Sequence, residues 1–111
     1  RRLSAVIAAL KLLASAGQRF EPVNGGSGQA CRGSDPDDES RTYHMDYMGV
    51  PSLEDCKDVC RRAPICMGIE YGAEERICKV WTRVVGSSAA VDRQTCLRYG
   101  GTTPLRRKLM Y

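Results

Sequence analysis

Six cysteines, all between residues 31 and 96 of a 111-residue chain, constrain this sequence more than any other feature. A chain this short buries a small core, and covalent cross-links usually supplement the core of such domains. Paired cysteines persist in oxidising compartments, whereas cytosolic thiols stay reduced and more often bind metal. The cysteines therefore predict one small disulfide-linked domain over residues 31–99, in a compartment outside the cytosol.

Metal binding is the alternative use of clustered cysteines. The spacings Cys56-x3-Cys60 and Cys60-x5-Cys66 lack the C-x2-C knuckles of common zinc sites, and the only histidine, His44, lies apart from them. The acidic run at residues 35–39 does not have the spacing of an EF-hand and is interpreted as a solvated loop. Disulfides are therefore favoured, and we expect neither a metal nor another cofactor.

The net charge of +4 is unevenly distributed along the chain. Residues 1–30 carry +3, residues 31–99 carry −2 and residues 100–111 carry +3. A nucleic-acid reader would carry its basic stripe on the folded unit, so we expect no nucleic-acid partner. Basic ends on a mildly acidic domain suit anionic lipid headgroups or an acidic protein partner instead.

The N-terminal segment over residues 1–20 permits two interpretations. Two arginines, an apolar run and the small residues 14–16 have the layout of an export signal. If the segment is retained, its apolar residues share one face of an amphipathic helix; these are Leu3, Val6, Ile7, Leu10 and Leu13. The apolar run is too short to span a bilayer, so this helix would lie on a membrane surface or in a partner's groove. Packing on its own domain is the alternative.

Two further segments flank the predicted domain. Residues 21–30 read EPVNGGSGQA, and this run of small residues favours a Gly-rich flexible linker. Residues 100–111 form a basic tail whose cations are Arg106, Arg107 and Lys108. We expect the two ends to attach the domain to a partner or a membrane, with a salt-sensitive contact from the tail.

Within the domain the sequence indicates a capped helix and several short strands. Ser52 can cap a helix over residues 53–62 that ends before Pro64. Cys56 and Cys60 lie four residues apart on this helix and therefore share a face. Strand patterns occur at residues 42–48, 67–71, 77–83 and 95–99. A polar turn separates the middle two, which predicts a hairpin.

This order of features resembles the apple/PAN family. The resemblance rests on Cys31, on SLEDCKDVCRRAPICMGIEY over residues 52–71, on ICKVWTR over residues 77–83 and on TCLRY over residues 95–99. The sequence is also similar in texture to apple-like modules of dinoflagellate-type algal proteins. The resemblance implies an α+β fold in which a twisted antiparallel sheet of about five strands cradles one α-helix.

The resemblance also implies a disulfide pairing, since six cysteines alone permit 15 connectivities. Its pattern joins the first cysteine to the sixth, the second to the fifth and the third to the fourth. Carried over to this chain, the pairs are Cys31–Cys96, Cys56–Cys78 and Cys60–Cys66. Family members bind proteins or carbohydrates through loops and sheet faces that differ between members, so no binding residue is carried over with them.

Candidate binding residues come instead from strand alternation. Along residues 77–83, Lys79, Trp81 and Arg83 fall on the face away from the helix. An exposed tryptophan between two cations suits a protein interface or stacking on a sugar. The alternative is that the domain's own loops cover Trp81.

Alternation along the earlier strand places three side chains on one face, and packing in the core is favoured for these residues: Tyr43, Met45 and Tyr47. His44 has no nucleophilic partner if every cysteine is paired, and the sequence contains no phosphate loop or serine elbow. We therefore expect a protein without catalytic activity.

Two functions fit these expectations. The first is an accessory structural subunit of a membrane-associated assembly, such as an algal photosystem or antenna complex, with the module in the thylakoid lumen and other protein subunits as partners. The second is a secreted or cell-surface adhesion module that binds carbohydrate or protein.

Overall fold

The computed structural model describes residues 19–100. One antiparallel sheet of five strands has the order β1-β5-β3-β4-β2. The strands are β1 Phe20–Arg32, β2 His44–Tyr47, β3 Gly68–Gly72, β4 Ile77–Trp81 and β5 Ser87–Tyr99, and the helix α1 spans Leu53–Arg62. The expected α+β fold is therefore confirmed. The predicted N-terminal amphipathic helix and the basic tail lie outside the described residues.

Local signals explain where α1 begins and ends. Ser52 has extended backbone angles, and its Oγ accepts a hydrogen bond from the Asp55 backbone N–H at 3.1 Å. Acidic residues occupy the first turn and arginines the last, which complements the helix dipole. The chain leaves the helix at Ala63, ahead of Pro64. Cys56 and Cys60 are fully buried on the face toward the sheet.

The sheet has a hydrophobic cluster on each face. Cys78 and Val80 of β4 pack in the cluster that also contains the helix cysteines. Trp81, the next residue along β4, packs on the opposite face with Val85 and Cys96. This division follows from the alternation of side chains along a strand.

Three disulfides connect these layers and leave no cysteine unpaired. Cys56–Cys78 and Cys60–Cys66 fix α1 to β4 and to the segment before β3, and Cys31–Cys96 joins β1 to β5. They are the same three pairs that the family resemblance implies.

The prediction of a flexible linker over residues 21–30 was wrong, because these residues lie in β1. Phe20 pairs with Tyr99 at one end of the strand, and Arg32 pairs with Ser87 at the other. The ordered sheet therefore starts well before the first cysteine.

The glycines of β1 permit an irregular pairing with β5 and do not form a flexible segment. The register with β5 shifts between Pro22 and Ser27 and again between Ser27 and Gln29. In this stretch Gly25 and Gly26 have φ values of 88° and 79°, which residues with a side chain rarely adopt. A Cβ on Gly26 would also lie 3.0 Å from the Pro22 Cβ. Composition alone does not distinguish such bulges from a linker.

Candidate binding cleft

A polar cleft of about 640 Å³ lies beside the outer edge of the sheet. It is lined by Glu39, Ser40, Arg41, His44, Asp46 and Lys79. His44 and Asp46 alternate on β2 and pair in register with Trp81 and Lys79 of β4, so their side chains lie on the face away from α1. The 3-10 turn Arg41–Tyr43, capped by Ser40, supplies the remaining wall.

Trp81 lies behind this cleft rather than on the surface. Its side chain is only 1% exposed, with the rings of Tyr43 and His44 each centred 5.7 Å away. Arg83 in turn lies over the Tyr43 ring at 4.5 Å. Tyr43 and His44 therefore cover Trp81, which agrees with the alternative that the domain itself buries this side chain, and the interpretation of Trp81 as an exposed anchor was wrong. Of the three residues predicted from alternation, Lys79 is the one that lines the cleft.

A buried carboxylate supports Lys79 from below. Glu70 of β3 pairs with Lys79 in register and is only 4% exposed. Its Oε1 accepts the Cys31 backbone N–H at 2.8 Å, and its Oε2 lies 3.5 Å from the Lys79 Nζ. Sequence reasoning missed Glu70, although it lies inside the predicted strand over residues 67–71, where alternation places it on the face opposite to Ile69 and Tyr71.

The acidic loop before β2 is organised around Asp38. Its carboxylate accepts hydrogen bonds from the backbone N–H of Ser34 at 2.7 Å and from the Tyr43 hydroxyl at 2.8 Å. These bonds, with the Ser34 backbone bond the strongest cause, hold the pKa of Asp38 below its ordinary value. The same contact with Asp38 raises the pKa of Tyr43. The loop thus positions the ring that covers Trp81.

Most charged groups of the cleft already have partners. The pairs are Glu39 with Arg32 at 3.1 Å, His44 with Asp46 at 2.6 Å, and Lys79 with Glu70 at 3.5 Å. Arg41 is exposed and has no ion pair within residues 19–100. The cleft therefore offers one uncompensated guanidinium to a ligand. Over the same residues, no group of three or more histidine, cysteine or carboxylate side chains is placed to hold a metal ion.

An apolar groove of about 330 Å³ lies on the other side of β2. It is lined by Met45, Tyr47, Val59, Arg62, Ala63 and Pro64. Met45 and Tyr47 remain 45% and 38% exposed, so the expectation that they pack in the core was wrong. β2 lies at the edge of the sheet, and the turn before it places Tyr43 on the opposite face, against Trp81.

Within residues 19–100, the five-stranded sheet, one α-helix and three disulfides define a small disulfide-linked α+β domain. The profile of the PAN domain family matches residues 29–101, and the chain belongs to this family. No curated protein and no solved structure shows a significant match.

PAN domains are typically non-catalytic modules that bind proteins or carbohydrates. The family and the three disulfides together indicate an oxidising extracellular or secreted environment. Within residues 19–100 no helix is long and apolar enough to cross a bilayer.

Proposed function

We propose that this chain is a non-catalytic binding module whose ligand, a carbohydrate or a protein segment, occupies the polar cleft and carries an acidic group. The observation that carries this proposal is Arg41, the exposed guanidinium of the cleft that lacks an ion pair in the described part of the chain. A guanidinium binds carboxylate and sulfate oxygens through paired hydrogen bonds. Ser40, His44 and Asp46 add polar groups at the same wall.

The covered tryptophan supports the same proposal indirectly. Trp81 and Tyr43 pack behind the cleft wall, so the backbone that carries Arg41 and His44 rests on a rigid aromatic cluster. The backbone of this wall is therefore ordered before a ligand binds, and the Arg41 side chain is the main part that binding must immobilise. The cleft is therefore suited to recognition by hydrogen bonds and charge, and direct stacking on Trp81 is not expected.

Isothermal titration calorimetry with matched acidic and neutral oligosaccharides, and with an acidic peptide, tests the proposal. We expect Arg41→Ala to bind the acidic ligand at least about tenfold more weakly than the native chain, and added salt to weaken native binding. Arg93→Ala is the matched control, since Arg93 is an exposed arginine of β5 that pairs with Glu74 and lies in neither candidate site. Equal binding of the acidic and neutral ligands, or unchanged binding by Arg41→Ala, would contradict the proposal.

A second candidate, attachment of the module to a membrane-associated assembly, is favoured by the position of the chain ends. Phe20 pairs with Tyr99, with ring centroids 4.5 Å apart, so both flanking segments leave the domain at one place. Lys57 and Arg61 of α1 lie within 6 Å of the Phe20 ring and add positive charge there. Two basic segments and two helix cations would then face one anionic surface.

Co-sedimentation of the full chain with anionic and neutral vesicles tests this attachment. We expect binding to the anionic vesicles alone, with loss of binding when residues 1–18 are deleted and weaker binding when Arg106, Arg107 and Lys108 are replaced by alanine. The more specific hypothesis of an algal photosystem or antenna subunit depends on this attachment, and the cleft does not bear on it. Retention of the shortened chain on vesicles at high salt would place the attachment on the domain itself.

A further inference from the structure

The outer side of β2 is unpaired within the described residues. β2 has β4 as its one neighbour at this edge of the sheet. The Thr82 backbone N–H donates to the Tyr43 carbonyl at 2.9 Å, which fixes the alternation of hydrogen-bonded positions along the pair. His44 and Asp46 therefore direct their backbone N–H and C=O groups away from β4. These groups form a short row that is available to another strand.

The side chains of this edge are also unusual for a surface. Met45, Tyr47 and the adjacent Met48 are 45%, 38% and 71% exposed, and they are three of the five large exposed hydrophobic residues in the described part of the chain. The opposite edge, β1, is interrupted by Pro22 and by two register shifts, which hinder pairing with another strand. β2 has neither protection. An exposed apolar edge strand presents a template on which another strand can pair.

We propose that this chain self-associates through β2, with a second copy pairing antiparallel across a two-fold axis to form one continuous sheet. A two-fold axis pairs β2 with its own reversed copy, so only a few registers are possible. When Met45 faces Met45 of the second copy, His44 of each copy lies opposite Asp46 of the other. The outward backbone groups of His44 and Asp46 then meet as hydrogen-bonded pairs.

The side chains of His44 and Asp46 select this register over its neighbours. A shift by two residues in either direction would place His44 opposite His44, or Asp46 opposite Asp46, on the same face of the joined sheet, and the second of these arrangements opposes two carboxylates. The complementary register instead places each Asp46 carboxylate opposite an imidazole that can donate a hydrogen bond to it, and it brings the two exposed Met45 side chains together beside the apolar grooves. Contacts between exposed polar side chains add little affinity, so their role is to fix the register.

The strand is short, so the association is weak and depends on concentration. Four residues of edge strand bury less than the roughly 1,200 Å² of a standard stable interface. Sedimentation of the full chain from about 10 µM to about 1 mM covers the range expected for such contacts. We expect the average mass to rise from one copy toward two. Over this range Met45→Lys should associate at least about tenfold more weakly, because it brings like charges together at the axis.

Val91→Lys is the matched control, because Val91 is an exposed hydrophobic residue of β5 that is 38% exposed and lies away from β2. It should associate like the native chain. A mixture of Met45→Lys and Met45→Glu tests the register directly: each variant alone should stay monomeric, and the mixture should form a mixed dimer.

Amide hydrogen exchange provides a second readout. The amides of His44 and Asp46 should exchange freely in dilute protein and become protected as the concentration rises. A native chain that remains monomeric at about 1 mM, a Met45→Lys variant that associates normally, or a variant mixture without dimers would overturn the proposal. Protection of these amides in the dilute monomer would also overturn it, since the edge would then be covered by another segment of the same chain.

Discussion

Replacement of Glu70 tests whether the buried carboxylate under the cleft holds the sheet together. Glu70 is 4% exposed and accepts the backbone N–H of Cys31, a residue that is itself fully buried. In Glu70→Ala this N–H loses its acceptor in a place that water reaches poorly. An unpaired buried donor costs about 1–3 kcal/mol.

The ion pair between Glu70 and Lys79 contributes less to the free energy of unfolding than this hydrogen bond does. The two charged atoms lie 3.5 Å apart and the Lys79 side chain is 32% exposed, so solvent screens the pair. A pair of this kind contributes roughly 1 kcal/mol or less. We therefore expect Glu70→Ala to lower the free energy of unfolding by about 3 kcal/mol in total. Glu70→Gln keeps an oxygen for the Cys31 N–H and loses the charge that faces Lys79. It should therefore lower the free energy of unfolding by about 1 kcal/mol.

Urea unfolding with the disulfides intact, followed by near-ultraviolet circular dichroism, measures these differences. Glu74→Ala is the control, because Glu74 is an exposed turn residue paired with Arg93, and its loss should cost about 0.5 kcal/mol or less. If Glu70→Gln costs as much as Glu70→Ala, the hydrogen bond to Cys31 contributes nothing and the reasoning is refuted. A loss below about 1 kcal/mol in the alanine variant would have the same meaning.

Three further changes test other parts of the fold. Gly68→Ala should lower the free energy of unfolding by about 2 kcal/mol in the same urea assay, because a Cβ there would lie 2.8 Å from the Val85 side chain and 2.9 Å from the Leu97 carbonyl oxygen. Replacing Cys31 and Cys96 together by serine removes a cross-link between residues 65 apart and should cost about 4 kcal/mol, visible as a lower melting temperature; an unchanged melting temperature would contradict this. The pKa of Asp38 is lower in the folded state than the ordinary 3.8, so Asp38 stabilises the fold above that pH and this contribution is lost as the pH falls through its folded pKa. The difference in stability between the native chain and Asp38→Asn should therefore shrink in acid, and a difference that stays constant with pH would argue against the role of the carboxylate.

Local sequence signals were sufficient for the parts of the fold that depend on neighbouring residues. Ser52 and Pro64 bracket α1, and the turn between β3 and β4 follows from composition. The pairing of cysteines far apart in sequence came from the family resemblance, since the spacing permits many connectivities.

Features that depend on distant residues were not predictable in the same way. Alternation placed Trp81 on the correct face of β4, but its burial depends on Tyr43, which the Asp38 loop positions. Alternation likewise placed Met45 on one face of β2, but it could not show that α1 leaves this side chain 45% exposed. The glycine-rich part of β1 has the composition of a linker, and only its pairing with β5 shows that it is a strand.

The pairing of Phe20 with Tyr99 also determines how the domain would respond to tension. A pull on both ends of the chain loads the β1–β5 ladder from its end, so its hydrogen bonds break one after another rather than together. Opening stops at the Cys31–Cys96 bond, through which the load then passes. Residues 20–30 would extend by roughly 35–40 Å at about 3.4 Å per residue, while residues 97–99 stay held by their backbone contacts with β3 and the residue before it. The domain would thus act as a short extensible link with a covalent limit, keeping its binding site folded under load.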